Sequence, residues 1–400
     1  MLSSVGLITS LYRKLIHAFN FFDMDYRFLP GYSFPPKSVC LILTDKCNLK
    51  CAMCDIGRRN SQLPRSPMIE SICSGDEAMT DADWQRLIND LSRFRPKPLL
   101  LLTGTEPFLY PDINNLTSFI AETGLPLHIT TNGTLLSHYV PHLVDLCSSR
   151  YPLDITISLD DIGDYHDAIR GVRGTFRQAA EGIEALVSRR EAQHQAFPTI
   201  NITCTISSYN YDHLESFAEW FIREEIPLKS ITFNHLWFRD ATITESHNSL
   251  YGNKLPTAEE NMEGIDISAI DMGLVARQLQ SIKNKFTGTA IRIYQHPDLS
   301  LEDAQRYYRY PARFVFYDKC TAPWRNVSIT PKGNIILSPL CFIPSIGNVK
   351  KESFAAIWNG EQFKKLRLEL KRKKAYPACS RCCLLFDSKA KYYKIFSMFR

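Results

Sequence analysis

The chain has 400 residues, 44% hydrophobic and 22% charged, with a formal net charge of +5, a balance that excludes a disordered polypeptide and allows one large core or two domains. Its twelve cysteines sit in a chain far longer than small disulfide-stapled secreted domains, so the clustered ones read as metal ligands in a reducing compartment. From Gly360 onward twelve Lys or Arg face three acids, a net of +9 against −4 for the rest; such an end can meet an anionic membrane, a nucleic acid or an acidic redox partner, or simply be solvated.

In chain order, LITSLYRKLIHAFNFF (7–22) places apolar side chains at 7, 8, 11, 15, 16 and 19 with Arg13, Lys14 and His17 on another face. That spacing predicts an amphipathic helix, too polar to span a bilayer and without a small-residue cleavage site. Residues 1–39 are therefore expected to be an N-terminal amphipathic extension of a cytoplasmic protein, packed on the domain that follows or peripheral at an anionic membrane.

From residue 40 to 240, β-rich apolar runs alternate with amphipathic helical segments. CLILT (40–44) precedes TDADWQRLINDLSRF, PLLLLT (98–103) precedes PDINNLTSFIAET, and LHITT (127–131) precedes LLSHYVPHLVDLC. LDITISL (153–159), TINITCTI (199–206) and SITFNHLWF (230–238) continue the series, with TFRQAAEGIEALVSRR and YDHLESFAEWFIREE between them. The alternation predicts an α/β fold with a parallel sheet curving into a partial (β/α)6, TIM-like barrel. Thr80 and Gly124 mark a helix start and a helix stop. Residues 241–315 lose the alternation and read as a linker or insertion: the polar stretch ATITESHNSLYGNKLPTAEENMEG predicts a loop, followed by a helix (AIDMGLVARQLQSIKNK) and a strand-like AIRIYQ. Residues 316–386 form a separate small cysteine-bearing unit, and 387–400 a basic tail.

The chemistry concentrates in CNLKCAMC (47–54), directly after the first strand, where loops of such barrels carry the active site. A structural zinc site closes its shell with four ligands. Cys47, Cys51 and Cys54 supply three thiolates and leave a valence open for something the protein does not provide. In the C-terminal unit Cys320, a hairpin-like NVSITPKGNIILSPLC ending at Cys341, and Cys379 and Cys382 in CSRCC supply four thiolates; spacing alone leaves zinc and an iron–sulfur cluster equal. Cys383 is an alternative to Cys382.

The Cys-x3-Cys-x2-Cys loop, with hydrophobic Met53 before its last cysteine, resembles the signature of radical S-adenosylmethionine (radical SAM) enzymes. Further resemblances fall in order on successive strands: TGTEP (103–107), TTNG (130–133), SLD (158–160) and HDAIRGVRGTF (166–176). The family's counterpart of the first is Gly-Gly-Glu-Pro, so Thr105 is a departure that makes the turn less permissive. The resemblance implies a [4Fe-4S] cluster on Cys47, Cys51 and Cys54 whose fourth iron is chelated by S-adenosyl-L-methionine. It further implies that Met53, Gly104, Thr105, Glu106, Asn132, Ser158, Asp160, Arg170 and His235 serve the cosubstrate, Glu106 at the methionine amino group, Ser158 at the ribose and Arg170 at the carboxylate. The C-terminal order of Cys-x3-Trp, hairpin, Cys, Ile-Trp-Asn-Gly and Cys-x2-Cys is similar to a SPASM domain. That likeness implies a second, auxiliary [4Fe-4S] cluster on Cys320, Cys341, Cys379 and Cys382.

The resemblance carries a function: reductive cleavage of S-adenosylmethionine with electrons from a flavodoxin or ferredoxin, then hydrogen abstraction from a small-molecule, sugar- or aminocyclitol-like substrate, giving oxidation. Redox-neutral epimerisation, with Cys204 on the fifth strand as hydrogen donor, is the alternative, as is modification of a ribosomal peptide. RNA modification is a further reading of the basic end, although a nucleic-acid partner is not expected, and a non-catalytic iron–sulfur or zinc scaffold is the contrasting class. His235, Trp237, Tyr294 and His296 are further candidates for substrate contact. Cys40, Cys73 and Cys147 read as core filler.

Overall fold

The computed structural model describes residues 24–56, 70 and 72–387, apart from residues 30, 74, 76, 149–150, 261, 263 and 316. The amphipathic stretch expected at 7–22 and residues 388–400 of the basic tail lie outside the described residues. Ten strands form one sheet: β1 (Ser38–Leu41), β2 (Leu99–Leu102), β3 (Leu127–Thr131), β4 (Leu153–Ser158), β5 (Thr199–Ile206), β6 (Ser230–His235), β7 (Arg292–His296), β8 (Asn326–Ile329), β9 (Asn334–Ile336) and β10 (Gly347–Asn348). Their order is β10-β9-β8-β1-β2-β3-β4-β5-β6-β7. Every neighbouring pair from β8 through β7 is parallel, and only β9 and β10 run antiparallel to their neighbours.

The helices are α1 (Met24–Phe28), α2 (Asp81–Ser92), α3 (Ile113–Thr123), α4 (Leu136–Leu146), α5 (Gly163–Arg170), α6 (Thr175–Ala192), α7 (Leu214–Arg223), α8 (Ala241–Tyr251), α9 (Met272–Lys285), α10 (Leu301–Arg309), α11 (Phe354–Trp358), α12 (Glu361–Lys373) and α13 (Cys383–Asp387). The expected caps are in place: Thr80 and Asp83 form a reciprocal capping box at α2, and Gly124 ends α3 with φ +66°. Trp84, Leu87, Ile88 and Leu91 of α2, and Phe217 and Phe221 of α7, bury their side chains against the sheet's outer face, where Leu100, Leu102, Ile155, Ile157, Ile200 and Ile202 meet them. The opposite, concave face of β3–β6 is polar and half-buried, with Thr130, Thr156, Ser158, Thr203, Thr205 and Asn234 in alternate positions. One sheet thus separates a dry face from a hydrogen-bonding lumen.

The structure differs from the sequence reading in three places. AIRIYQ is a full partner in the sheet, since β7 extends the parallel array beyond β6. ATITESHNSLY, expected as loop, is helix α8: Asp240 accepts from Ile243 N at its start, and Ile243 and His247 are its two buried anchors. The C-terminal hairpin, expected as a separate unit, joins the barrel, β8 pairing in register with β1 from Ser38↔Asn326 to Leu41↔Ile329. The N-terminal segment is tied to the same unit: Trp358 Nε1 donates to Phe34 O at 2.8 Å, Ser33 Oγ to Trp324 O at 3.0 Å, and the buried Arg367 to Gly31 O at 3.1 Å.

Candidate active site and iron–sulfur centres

The cysteine loop leaves β1 and is laced to two other parts of the barrel. Lys50 N donates to Arg170 O at 3.0 Å and Ala52 N to Ile169 O at 2.9 Å, fixing it against the end of α5. Asn48, which the sequence reading passed over, donates to Thr134 Oγ1 at 2.9 Å and accepts from Asn132 Nδ2 at 2.8 Å. Its place between Cys47 and Cys51 was the only available signal. Cys47, Cys51 and Cys54 then form one wall of a cavity of about 550 Å³ over the carboxyl ends of the strands. Met53, Gly104, Thr105, Glu106, Asn132, Ser158 and Arg170 line it too, as do Thr130, Thr156, Thr203, Thr205, Asn234 and Trp237.

Glu106 is the most constrained acid in this cavity. Its carboxylate accepts from Asn132 N and Thr131 Oγ1, both at 2.8 Å, and from Phe108 N at 3.1 Å. Burial nevertheless outweighs these donors and pushes its pKa up to about 7. A cation beside it would restore the carboxylate. Gly104, at φ +104°, lets the chain pass Ile42 where a Cβ would stand 2.9 Å from Ile42 Cγ1, keeping a bare backbone edge on the cavity.

Arg170 sits behind Cys51. Its Nη1 is 3.7 Å from Cys51 Sγ, its Nη2 donates to Ser158 O at 2.8 Å, and it pairs with Asp160 Oδ2 at 2.7 Å. Burial works against its charge, but Asp160 and the Cys51 thiol outweigh burial and keep it a guanidinium. Burial raises the Cys51 thiol pKa and Arg170 opposes the rise.

Three expectations require correction. Asp160 does not line the cavity: its other oxygen accepts from Thr205 N at 2.9 Å, so it faces Arg170 and the strand. His235 borders the cavity, but its ring is fully buried and both nitrogens are engaged, with Tyr308 OH at 3.2 Å and Gln295 Nε2 at 2.9 Å. Burial lowers its pKa to about 3 and leaves it neutral. Cys204 lies on the dry face between the cavity-lining Thr203 and Thr205; its Sγ donates to Asp160 O at 3.5 Å and accepts from Asn210 Nδ2 at 3.6 Å. A residue one position along a strand faces the other way, and this removes Cys204 as a donor into the cavity. Of the other substrate candidates, Trp237 lines the cavity with His296 edge-on at 6.2 Å, while Tyr294, on the outermost strand β7, is 44% exposed and is not among the lining residues.

The second cysteine set lies between the hairpin and the C-terminal segment, Cys320 buried and Cys341, Cys379 and Cys382 half-buried. Burial is the main cause that raises the Cys320 thiol to about 12 and the Cys341 and Cys379 thiols above their ordinary value, and in each case Cys382 adds to the rise. Those mutual effects mean the four thiols face one another. Cys382 is the exception, lowered first by a hydrogen bond with Cys383, which places Cys383 beside Cys382. Among the described residues no three His, Cys, Asp or Glu side chains stand as ligands of a single ion do. Four unbridged thiols, three of which resist ionisation on their own, suit a multi-iron group, which accepts thiolates on separate metals and neutralises them. Buried Arg239 and Arg325 lie near the set, Arg239 donating to Leu340 O at 2.9 Å next to Cys341. Both cysteine sets therefore fit the groups that the sequence implied.

Comparison with known proteins agrees with this geometry. Residues 41–221 match the family model described as the Radical SAM superfamily, and residues 320–383 that of the SPASM iron–sulfur cluster-binding domain. The AdoMet-dependent heme synthase of Methanosarcina barkeri is 29% identical over 180 residues, 45% of each chain. That relative and the Fe-coproporphyrin III synthase of the same organism are spanned over only about half their length. The subtilosin biosynthesis protein AlbA of Bacillus subtilis is 22% identical over 81% of this chain and 60% of its own. Among solved structures, Streptococcus suis SuiB bound to S-adenosylmethionine superposes with a TM-score of 0.56 at 16% identity, covering 89% of this chain and 73% of SuiB. At that identity the likeness is one of fold.

Proposed function

We propose, from the premise that this chain is a radical SAM enzyme with a C-terminal SPASM domain, that it oxidises an uncharged, hydrogen-bonding substrate held in the barrel lumen. When bound, the first cluster and S-adenosylmethionine supply a 5′-deoxyadenosyl radical that removes a hydrogen atom from a substrate carbon. This chain's residues do the rest by positioning. Cys47, Cys51 and Cys54 would hold the cluster, and Glu106, as carboxylate, would take the methionine ammonium. Arg170, fixed by Asp160, offsets negative charge gathered at Cys51. Gly104 and Asn132 offer polar backbone and amide edges to the cosubstrate, and Trp237 closes one side of the cavity against water. Thr156, Thr203, Thr205 and Asn234 are the hydroxyls and amide from which a neutral polar substrate would hang.

The observation that carries the choice of oxidation is the orientation of Cys204. Among the described residues no cysteine except the three of the loop lines the cavity, so no thiol there returns a hydrogen atom to a substrate radical. The four-thiol set at Cys320, Cys341, Cys379 and Cys382 would instead hold an auxiliary cluster able to accept the electron left when the substrate radical gives up a proton to solvent, with flavodoxin or ferredoxin reducing the first cluster. A sugar-like polyol, or an aminocyclitol with its amine unprotonated, suits the lumen. A ribosomal peptide is the second reading, favoured by the match to AlbA across 81% of this chain.

Anaerobically reconstituted protein given S-adenosylmethionine and a reductant is expected to release methionine and 5′-deoxyadenosine, and the triple Cys47, Cys51 and Cys54 to Ala variant is expected not to. Absence of cleavage by fully reconstituted wild type would sink the enzyme reading. Turnover in deuterated water separates the outcomes: oxidation gives a product lighter by one hydrogen molecule, epimerisation an unchanged formula with one deuterium fixed.

A further inference from the structure

Helix α12 has two unlike faces. Phe363, Arg367 and Leu370 are buried, while Lys364, Lys365, Leu368, Lys371 and Arg372 point outward or sit at the rim. Helix α1 and the turn after it lie along that outer side: Lys371 Nζ donates to Arg27 O at 3.1 Å, and Lys364 Nζ stands 4.5 Å above the Tyr32 ring. Arg27 and Tyr32 therefore lie beside the turns that carry Leu368. Phe28 is 66% exposed, Tyr32 49%, Leu368 47% and Leu29 38%. Four large apolar side chains thus share one patch, rimmed by the basic residues just named.

A scattering of exposed apolar side chains needs no explanation, but a contiguous group ringed by Lys and Arg has a chemistry. Aromatic and aliphatic tips enter the boundary between lipid headgroups and acyl chains, while the ammonium and guanidinium groups meet anionic headgroups. The adjoining sequence has the same character. LITSLYRKLIHAFNFF ends one residue before α1, and SKAKYYKIFSMFR (388–400) interleaves Lys389, Lys391 and Lys394 with Tyr392, Tyr393 and Phe396 and contains no acid. An acidic protein partner would account for the charges and leave Phe28, Leu29 and Leu368 unexplained.

We propose that this face docks on an anionic lipid bilayer, with Phe28, Leu29, Tyr32 and Leu368 entering the headgroup layer and Lys365, Arg372 and their neighbours meeting anionic headgroups. The proposal is independent of the reaction. Its test is co-flotation of the full-length reconstituted protein with vesicles of phosphatidylcholine alone or mixed with phosphatidylglycerol. Binding is expected to the mixed vesicles, to weaken as salt rises, and to be absent on pure phosphatidylcholine. Two surface variants, Phe28→Ser with Leu368→Ser and Lys365→Glu with Arg372→Glu, are each expected to weaken it roughly tenfold or more, with iron content and melting temperature unchanged. Equal binding to both vesicle types overturns the proposal. So does binding that neither variant alters, which would locate the contact outside this face. A wild-type dimer lost in Phe28→Ser with Leu368→Ser, without vesicle binding, assigns the face to a second copy. A flavodoxin complex lost on charge reversal, again without vesicle binding, assigns it to a protein partner; both results overturn the lipid assignment.

Discussion

Replacing Gly171 by Ala tests how the cysteine loop is held. Gly171 ends α5 at φ +69°, and a Cβ there would stand 2.5 Å from Lys50 O and 3.0 Å from Lys50 Cβ. Lys50 lies between Cys47 and Cys51, and its N–H is bound to Arg170 O. The left-handed backbone costs a residue with a Cβ about 1–2 kcal/mol, and forcing an atom into packed backbone typically adds about 1–3 kcal/mol. The strain is relieved if the loop retreats by roughly an ångström, more than a cluster site tolerates. Gly171→Ala is therefore expected to keep the auxiliary iron and lose the first cluster, leaving about half the iron per chain after anaerobic reconstitution, with cosubstrate cleavage abolished and a melting temperature a few degrees lower. Gly174→Ala is the control, because its φ is +81° but a Cβ there meets nothing within 4 Å: it carries the backbone strain without the collision and is expected to keep its iron. Full iron and normal cleavage in Gly171→Ala, or equal iron loss in both variants, would refute the reasoning.

Asp160→Asn leaves the buried Arg170 guanidinium without a carboxylate, and loss of one partner of a buried pair costs roughly 3–5 kcal/mol; denaturant titration is expected to register it, and a change under about 1 kcal/mol would contradict the pairing. The Glu106 pKa, raised by burial from 4.5 to about 7, means that in the protein without cosubstrate the folded state binds this proton more tightly than the unfolded chain. Its stabilising contribution is complete below pH 4.5 and is lost as pH rises through 7, so Glu106→Gln is expected to flatten that part of the stability–pH curve. S-adenosylmethionine binding near pH 6 is expected to release a proton in wild type and none in the variant, by calorimetry in buffers of different ionisation enthalpy. Cys382→Ala is expected to lose the auxiliary iron and Cys383→Ala to retain most of it; the reverse would exchange their roles.

Strands β3 and β5 were legible to the residue because both faces of a parallel sheet select β-branched runs between turn residues. The facing of β5 was not legible. Thr203, Cys204 and Thr205 are each compatible with either side, and only the helices packed outside decide that the hydroxyls face in. Helix α8 escaped because its burial rests on Ile243 and His247 alone, too few for a recognisable apolar stripe. The cysteine loop announced itself through its spacing, whereas Asp160 was misread because a carboxylate at a strand end is equally suited to a ligand or to a buried arginine at the end of the next helix.

The parallel pairing of β8 with β1 also sets a schedule for the newborn chain. Ser38 and its partner Asn326 are 288 residues apart, so the strand that presents the cysteine loop gains its second neighbour only after most of the protein has left the ribosome. At roughly 5–20 residues per second that interval lasts about 15–60 s. Throughout it one edge of β1 offers unpaired amides and carbonyls, the kind of edge that templates aggregation. Iron delivered during synthesis would meet a loop whose supporting strand is half-supported, which makes completion of the chain the natural checkpoint for cluster insertion and makes any truncation before Asn326 a lesion of the first cluster as well as the second.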